Sequence, residues 1–192
     1  MSLALMGFSL QAFLAGRRAI AVFGSSEPRP GETLYDEALQ IGARLARADF
    51  VVINGGYGGV MEAVSRGARS AGGVALGITM KQRPGRGDGN VWLSHEQQER
   101  DLFQRTRSLV AHACGYLVLP GQAGTLAEIS TLWALRRAGC LGSRPIVLVG
   151  NVWKDVVKVL QETRFLNPSI LETTRLTQAP DAAIGLLLEN LP

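Results

Sequence analysis

Apolar and polar positions follow two different rhythms along the chain. Short apolar runs predict buried strands, and between them apolar residues recur every three or four positions, as in helices with one buried face. Strands are predicted over residues 19–23, 50–53, 74–78, 116–119 and 145–149. Helices are predicted over residues 32–47, 60–71, 97–112, 125–137, 152–165 and 180–190. This alternation favours a single-domain α/β protein with a doubly wound, mainly parallel sheet that helices cover on both faces.

The N-terminus and one polar loop fall outside this alternation. Residues 1–15 are mostly apolar, and Arg17 and Arg18 follow them. A signal peptide carries its positive charge before the apolar run, and this run is too short to span a bilayer. We therefore expect an N-terminal extension over residues 1–17 and one domain over residues 18–192, in a cytoplasmic protein. Residues 81–90 are polar and rich in glycine, which predicts a mobile surface loop.

The composition narrows the class of partner. Of the 192 residues, 46% are hydrophobic and 19% are charged, which suits a globular chain that buries one core. The formal net charge is +4, but the Lys and Arg residues are scattered and do not alternate with aromatic residues. This excess suits small anionic ligands, whereas neither nucleic acid nor a membrane is expected as a partner. Cys114 and Cys140 match no disulfide framework or metal-binding pattern, which predicts reduced thiols.

Three predicted strands end in turns of small residues. In an open parallel sheet the ligand crevice lies beyond the carboxyl ends of the strands, so all three turns should lie at the same edge. Glycines are also needed simply to turn tightly from a strand into a helix, and one such loop would carry no information. Three of them on one edge predict a binding site for a phosphorylated, nucleotide-like molecule. The turns are Gly24-Ser25-Ser26, Gly55-Gly56-Tyr57-Gly58-Gly59 and Pro120-Gly121-Gln122-Ala123-Gly124.

The third turn leads directly from a strand into a helix. Backbone N–H groups at such a helix start point outwards at the positive end of the helix dipole, where they suit a phosphate. Glu128 then lies one turn inside the helix, close to the expected ligand. The spacing Thr125-x-x-Glu128 is equally that of a capping box, in which the two side chains bond free N–H groups at the helix start. The spacing alone leaves both interpretations open.

Several familiar sites are absent from the sequence. The dinucleotide-binding pattern Gly-x-Gly-x-x-Gly begins at Gly56 and Gly58 but meets Met61 at its last position, and no P-loop follows any of the three turns. His95 and His112 have no acidic or thiol cluster near them in the sequence. We therefore expect no metal site, no Ser-His-Asp triad and no redox cofactor.

Four stretches of the chain together resemble one known family. Over roughly residues 18–160 the chain is similar to the LOG family, named after the plant "lonely guy" protein, whose signature is Pro-Gly-Gly-x-Gly-Thr-x-x-Glu. The four stretches are Phe23-Gly24-Ser25-Ser26, the run from Gly55 to Met61, the helix that contains Arg105, and Pro120-Gly121-Gln122-Ala123-Gly124-Thr125-Leu126-Ala127-Glu128.

The resemblance implies a fold, an activity and a set of residues. The fold would be a modified Rossmann fold, commonly assembled as a homodimer or larger homo-oligomer. Active members cleave the N-glycosidic bond of cytokinin or purine nucleoside 5′-monophosphates and release the base and ribose 5-phosphate, with Arg105 and Glu128 as the implied catalytic pair. The residues predicted to bind the phosphorylated ligand are Gly24, Ser25, Ser26, Gly55, Gly56, Gly58, Gly59, Met61, Glu62, Pro120, Gly121, Gln122, Ala123, Gly124 and Thr125.

The implied pair also suits this chemistry on physical grounds. Cleaving a ribosyl C1′–N bond passes through a state with positive charge on the sugar, as in glycoside hydrolysis. A carboxylate near C1′ stabilises that charge and can orient or deprotonate a water molecule. A guanidinium can hold the 5′-phosphate or position the carboxylate. Without the resemblance, however, Arg105 would be interpreted as a solvated helix residue, because exposed arginines are common.

Three departures from the family pattern keep a second function open. Gln122 replaces the second glycine of the signature, where a side chain could narrow the phosphate site or resist the required φ angle. Thr106 stands where lysine is usual, and Glu62 stands where glycine is usual, although an acidic residue also suits the first turn of a helix. The Met-Glu-Ala form resembles a branch that includes molybdenum-cofactor carriers. The alternative is therefore a non-catalytic binding protein for a phosphorylated nucleotide or molybdenum cofactor.

Overall fold

The computed structural model describes residues 9–81 and 89–191. Within them, seven strands form one sheet in which every neighbouring pair is parallel. The predicted doubly wound α/β fold is thereby confirmed. The strands are β1 (Arg18–Phe23), β2 (Phe50–Asn54), β3 (Ala75–Met80), β4 (His95–Glu99), β5 (Gly115–Val118), β6 (Ile146–Val149) and β7 (Thr174–Thr177).

The strand order fixes where a ligand can bind. The order across the sheet is β4-β3-β2-β1-β5-β6-β7, so the chain builds outwards from β1 on one side and then returns to start again at β5 on the other. Between β1 and β5 the two connections leave in opposite directions, which opens a crevice at the carboxyl ends of these strands. Phe23 and Val118 are the last register partners there. The predicted glycine loops therefore follow strands that end at, or next to, this switch point.

Eight helices cover the sheet in the described part of the chain. Cores lie on both faces of the sheet: α2, α3 and α8 pack on one face, and the remaining helices pack on the other. β1 and β2 are buried along almost their entire length, because a sheet covered on both faces leaves no solvated side. The helices are α1 (Leu10–Phe13), α2 (Thr33–Arg47), α3 (Val60–Ser70), α4 (Leu102–Ala111), α5 (Ala123–Arg137), α6 (Val152–Glu162), α7 (Pro168–Leu171) and α8 (Pro180–Glu189).

Two strands were not predicted, and both lie at an edge of the sheet. The helix predicted over residues 97–112 is wrong at its start, because His95–Glu99 forms β4 and α4 begins only at Leu102. Asp101 separates the two elements, since its side chain accepts a hydrogen bond from the N–H of Gln104 at 2.9 Å and caps α4. β7 (Thr174–Thr177) is similarly polar. Edge strands are exposed on one side, so their polar sequences give no buried-strand signal.

The N-terminal segment and the polar loop are described only in part. α1 packs on the sheet through buried Leu10. The centres of the Phe13 and His95 rings are 4.2 Å apart. Residues 1–8, and positions 82–88 of the predicted mobile loop, lie outside the described residues. Across residues 9–81 and 89–191, no helix combines the length and apolar character needed to cross a membrane.

Candidate active site

The three glycine loops are joined to one another through main-chain hydrogen bonds. The N–H of Ser25, after β1, donates to the carbonyl of Pro120, after β5, at 3.0 Å. The carbonyl of Ser25 accepts from the N–H of Val60, at the start of α3, at 2.8 Å. Gly59 permits this approach, because its φ of +65° favours glycine and a Cβ atom there would lie 2.4 Å from the Ser25 carbonyl oxygen. The loops therefore converge at the switch point.

A cavity of about 320 Å³ opens where the loops meet. Eleven of the residues predicted from the sequence line it, and Val22, Phe23 and Tyr57 line it as well. Six predicted residues do not line the cavity: Glu62, which lies in α3, and the loop residues Gly56, Gly58, Gly59, Pro120 and Gly121. The predicted residues that line it are Gly24, Ser25, Ser26, Gly55, Met61, Arg105, Gln122, Ala123, Gly124, Thr125 and Glu128.

Glu62 is directed towards α2 instead of the cavity. The hydroxyl of buried Tyr35 donates to the Glu62 carboxylate at 3.0 Å. Glu62 stands in the first turn of α3, where an acidic side chain also suits the helix dipole. The predicted ligand contact of Glu62 is therefore not supported, because its carboxylate is held by a neighbouring helix.

Arg105 is a buried residue of the site. Its side chain is only 9% exposed, so the interpretation as a solvated helix residue is wrong. Its Nε donates to the carbonyl of Ile78 at 2.8 Å, and its Nη1 lies 3.7 Å from Oε1 of Glu128. Its guanidinium carbon lies 5.7 Å from the centre of the Tyr57 ring, within the range of a cation–π contact. The charge of Arg105 is thus directed at Glu128 from inside the protein.

Gly55 makes the space that the guanidinium occupies. A Cβ atom at this position would lie 1.8 Å from Nη2 of Arg105 and 2.7 Å from the sulfur of Met61. Both distances are far shorter than any van der Waals contact, so a side chain at position 55 would compete with Arg105 for the same volume. The second glycine loop therefore serves the arginine as well as the turn.

The structure separates the two interpretations of Thr125 and Glu128. α5 begins at Ala123, and the side chain of its N-cap residue, Gln122, makes no capping hydrogen bond. Thr125 is already inside the helix and buried, so the capping-box interpretation is wrong. Because the Gln122 side chain does not cap this helix start, the first N–H groups of α5 suit an anion in the cavity that residues 122–125 line.

Gln122 adopts a backbone conformation that any residue tolerates. Its φ of −102° and ψ of −156° are extended, so the expected conflict between glutamine and a glycine-specific φ angle does not occur. The side chain is exposed and stands at the mouth of the cavity. The departure from the family signature therefore changes the wall of the site and leaves its backbone geometry unstrained.

Glu128 lies in an environment that favours its neutral form. Burial raises the pKa of Glu128 to about 7, although the nearby Arg105 guanidinium acts to lower it. The side chain is 12% exposed and lines the cavity, so it can reach a bound ligand. A carboxyl group that titrates near neutrality suits proton transfer as well as charge stabilisation.

Tyr57 is the main site residue that sequence reasoning missed. It lines the cavity, and its hydroxyl accepts a hydrogen bond from the N–H of Met80 at 3.0 Å. The signal in the sequence is a single aromatic residue inside a run of four glycines.

Comparison with known proteins places this site in a family. The model of the SLOG cluster4 family matches residues 17–164, a segment that includes every residue lining the cavity. The chain belongs to the SLOG cluster4 family. The resemblance to the LOG family that the sequence indicated is thereby confirmed.

Named relatives share about a quarter of their aligned residues with the chain. It is 27% identical over 172 residues to a cytokinin riboside 5′-monophosphate phosphoribohydrolase of Mycobacterium tuberculosis, covering 83% of this chain and 87% of the relative. It is 25% identical over 171 residues to an enzyme of the same name from Arabidopsis thaliana, covering 86% and 78%. Its fold is similar to the molybdenum cofactor binding protein of Rippkaea orientalis, with a TM-score of 0.70, 21% identity, and coverage of 90% and 96%.

Proposed function

We propose that this protein is a nucleoside 5′-monophosphate N-glycosidase, a phosphoribohydrolase that releases the base and ribose 5-phosphate. The observation that carries the proposal is the buried pair of Arg105 and Glu128, 3.7 Å apart in the wall of the switch-point cavity. The names of the relatives from Mycobacterium tuberculosis and Arabidopsis thaliana support the reaction class. Cytokinin and purine nucleotides are the proposed substrates.

The proposed mechanism places the two ends of the substrate on different parts of the cavity. The 5′-phosphate binds at the uncapped start of α5, where helix N–H groups favour an anion. As the C1′–N bond breaks, its electron pair leaves with the base, and positive charge develops on the ribose. The Glu128 carboxylate stabilises this charge and accepts a proton from the water whose oxygen bonds to C1′. The departing base nitrogen takes up a proton from solvent, and Glu128 then releases its proton to solvent, which restores the carboxylate.

The geometry favours one of the two roles considered for Arg105. Its Nε is bonded to the Ile78 carbonyl and its Nη1 faces Glu128, so the guanidinium is directed at the carboxylate. The phosphate has a separate binding place at the start of α5. We therefore assign Arg105 to positioning Glu128 and favouring its ionised form.

The test is to incubate the protein with a panel of nucleoside 5′-monophosphates and measure free base and ribose 5-phosphate. The proposal expects equal amounts of the two products from at least one cytokinin or purine nucleotide. The matching nucleosides without phosphate serve as controls and should react far more slowly, because they lack the group that α5 binds. Tight binding of a nucleotide without any release of base would contradict the proposed N-glycosidase activity.

One observation favours a second candidate, a non-catalytic binding or carrier protein. The exposed side chain of Gln122 stands at the cavity mouth where the family signature has glycine. Such a protein would bind a phosphorylated nucleotide or the molybdenum cofactor, whose pterin carries a phosphate. In the panel experiment this candidate predicts binding measurable by calorimetry and no products.

The pH dependence follows from the environment of Glu128. The ionised carboxylate is the form that stabilises a cationic sugar, and its pKa is about 7. We expect kcat to fall about tenfold for each pH unit below this pKa and to level off above it. The measurement is kcat at saturating nucleotide from about pH 5 to 9. Because kcat then reports the enzyme–substrate complex, the titration of Glu128 is separated from that of the free substrate phosphate near pH 6. A kcat that decreases as the pH is raised through 7 would contradict the assigned role.

We also propose that the protein forms a homodimer or larger homo-oligomer through the surface of α4 and α5. Leu109, Leu132 and Trp133 are buried in the core, which accounts for part of the apolar character of these helices. Three large apolar side chains on the same two helices remain exposed: Leu102 at 48%, Phe103 at 85% and Leu126 at 45%. Large apolar side chains that a protein leaves exposed are a common feature of protein interfaces.

Sedimentation measures this assembly directly. The wild-type protein should sediment at twice 20.6 kDa or more at micromolar concentration, and Phe103→Glu should shift it towards the monomer, because a charge would be buried at the interface. Lys154→Glu, a charge change on α6, serves as the control. A wild-type protein that sediments only as the monomer would contradict the proposed homo-oligomer.

A further inference from the structure

β3 extends past its neighbour β2 at the carboxyl edge of the sheet. β2 ends at Asn54, which pairs with Gly77, whereas β3 continues to Met80. The backbone groups of β3 beyond Gly77 therefore have no strand β2 to bond on that side. Two side chains bond there instead: Arg105 donates to the Ile78 carbonyl, and the Tyr57 hydroxyl accepts from the Met80 N–H.

Tyr57 is held at both ends of the residue. Its hydroxyl is fixed at 3.0 Å to Met80, and its carbonyl accepts a hydrogen bond from the side-chain amide of Asn90 at 3.0 Å. Its ring is thereby fixed next to Arg105, whose guanidinium carbon lies 5.7 Å from the ring centre. The same ring lines the cavity.

We propose that Tyr57 is a positioning residue for the Arg105–Glu128 pair, keeping the guanidinium beside the carboxylate in the cavity wall. Its catalytic consequence rests on the proposed function of this cavity. The bond from Nε to Ile78 directs the guanidinium, and a turn about the Cδ–Nε bond that broke this hydrogen bond would carry Nη1 away from Glu128. The face of an aromatic ring attracts a guanidinium and limits this rotation.

The strength of the contact sets the expected size of the effect. A partly buried cation–π contact contributes about 0.5–2 kcal/mol, which corresponds to about a 2- to 30-fold change in rate if it acts on the transition state. Losing the ring should therefore lower kcat within this range. KM should change less, because the phosphate is bound at the start of α5 and does not depend on Arg105.

Tyr57→Leu and Tyr57→Phe separate the ring from the hydroxyl. Leucine keeps apolar volume but removes the ring face, whereas phenylalanine keeps the ring and removes only the bond to Met80. We expect Tyr57→Leu to lower kcat and Tyr57→Phe to retain most of it. Tyr116→Phe is the matched control, since it removes a hydroxyl that bonds Val110 and Arg144 away from the cavity.

A second measurement does not depend on turnover. Titration of the Glu128 carboxyl carbon by NMR reports how closely Arg105 approaches, because Arg105 is the charged group that lowers the pKa of Glu128. The pKa of Glu128 should be higher in Tyr57→Leu than in the wild type, and nearly unchanged in Tyr57→Phe and Tyr116→Phe. Folding of each variant is checked by its thermal transition.

The outcomes distinguish this proposal from the proposed function. If the wild type releases no base from any nucleotide, the proposed function fails, and the carboxyl titration still decides the role of Tyr57. If a folded Tyr57→Leu protein shows the wild-type titration of Glu128 and the wild-type kcat, Tyr57 has no positioning role. If Tyr57→Leu does not fold, Tyr57→Met, which also lacks a ring face, takes its place. A folded Tyr57→Met protein with a raised Glu128 pKa supports the proposal, and one with the wild-type titration and kcat overturns it.

Discussion

Replacing Glu128 with glutamine is expected to lower turnover by about 10²-fold or more while leaving nucleotide affinity nearly unchanged. The amide has the same shape as the carboxyl group, and the phosphate binds elsewhere, so the ground state loses little. The transition state loses the negative charge that opposes the positive charge on the ribose. The fold should tolerate the change, because with a pKa of about 7 a neutral group at position 128 is already well populated near neutral pH.

Single-turnover rates and calorimetric nucleotide affinities measure the two effects separately. Glu162→Gln is the matched control, since Glu162 is an exposed residue of α6 whose carboxylate pairs with Lys158 away from the cavity. It should leave both quantities unchanged. A Glu128→Gln protein with wild-type turnover would show that the ligand reacts elsewhere, and a large loss of affinity would show that Glu128 binds the substrate in its ground state.

Gly55→Ala is expected to remove most of the activity although it leaves the side chains of Arg105 and Glu128 themselves unaltered. The new methyl group would lie 1.8 Å from Nη2 of Arg105, so the guanidinium must leave its present position beside Glu128. A displacement of about 1 Å in a catalytic arrangement can cost about 10²-fold in rate. We therefore expect a loss of this size, together with about 1–3 kcal/mol of lost stability from the forced contact.

Steady-state kinetics and thermal unfolding test this prediction, with Gly185→Ala as the matched control. Gly185 lies in α8, and a Cβ atom there would meet nothing within 4 Å. The control should keep full activity and gain slightly in stability, because alanine favours a helix interior over glycine. Wild-type activity in Gly55→Ala would show that the arginine position is not critical for the reaction.

The central part of the fold could be predicted from the sequence because burial on both faces leaves a clear pattern. β1 and β2 are apolar along nearly their whole length, and the helix between them, α2, keeps a regular apolar face. β4 could not be predicted in this way. Its sequence His-Glu-Gln-Gln-Glu is polar throughout, and it pairs with β3 on one side only. Its place in the sheet depends on that pairing, which a local pattern does not contain.

The site was predictable in outline and less so in detail. Glycine loops on one edge indicated the position of the cavity, and the family resemblance supplied Arg105 and Glu128 as a pair. The burial of Arg105 could not be foreseen, because it depends on space left by Gly55, fifty positions earlier in the chain. Tyr57 was missed for a similar reason: its partners, Met80 and Arg105, are distant in sequence and meet it only at the end of the sheet.

Ser25 has a consequence for how this site can diverge. Its main-chain N–H and carbonyl, and not its side chain, join the loops after β1 and β5 to the start of α3. These connections therefore depend on a close backbone approach, which Gly59 permits, and not on the side chain of Ser25. Mutations at rim positions such as Ser26, Gln122 and Ala123 can accumulate without disturbing these connections, since these residues contact the cavity but do not supply its connecting bonds. Substitutions at these rim positions can thus change which ligand the site accepts, while the hydrogen bonds that connect the loops stay the same.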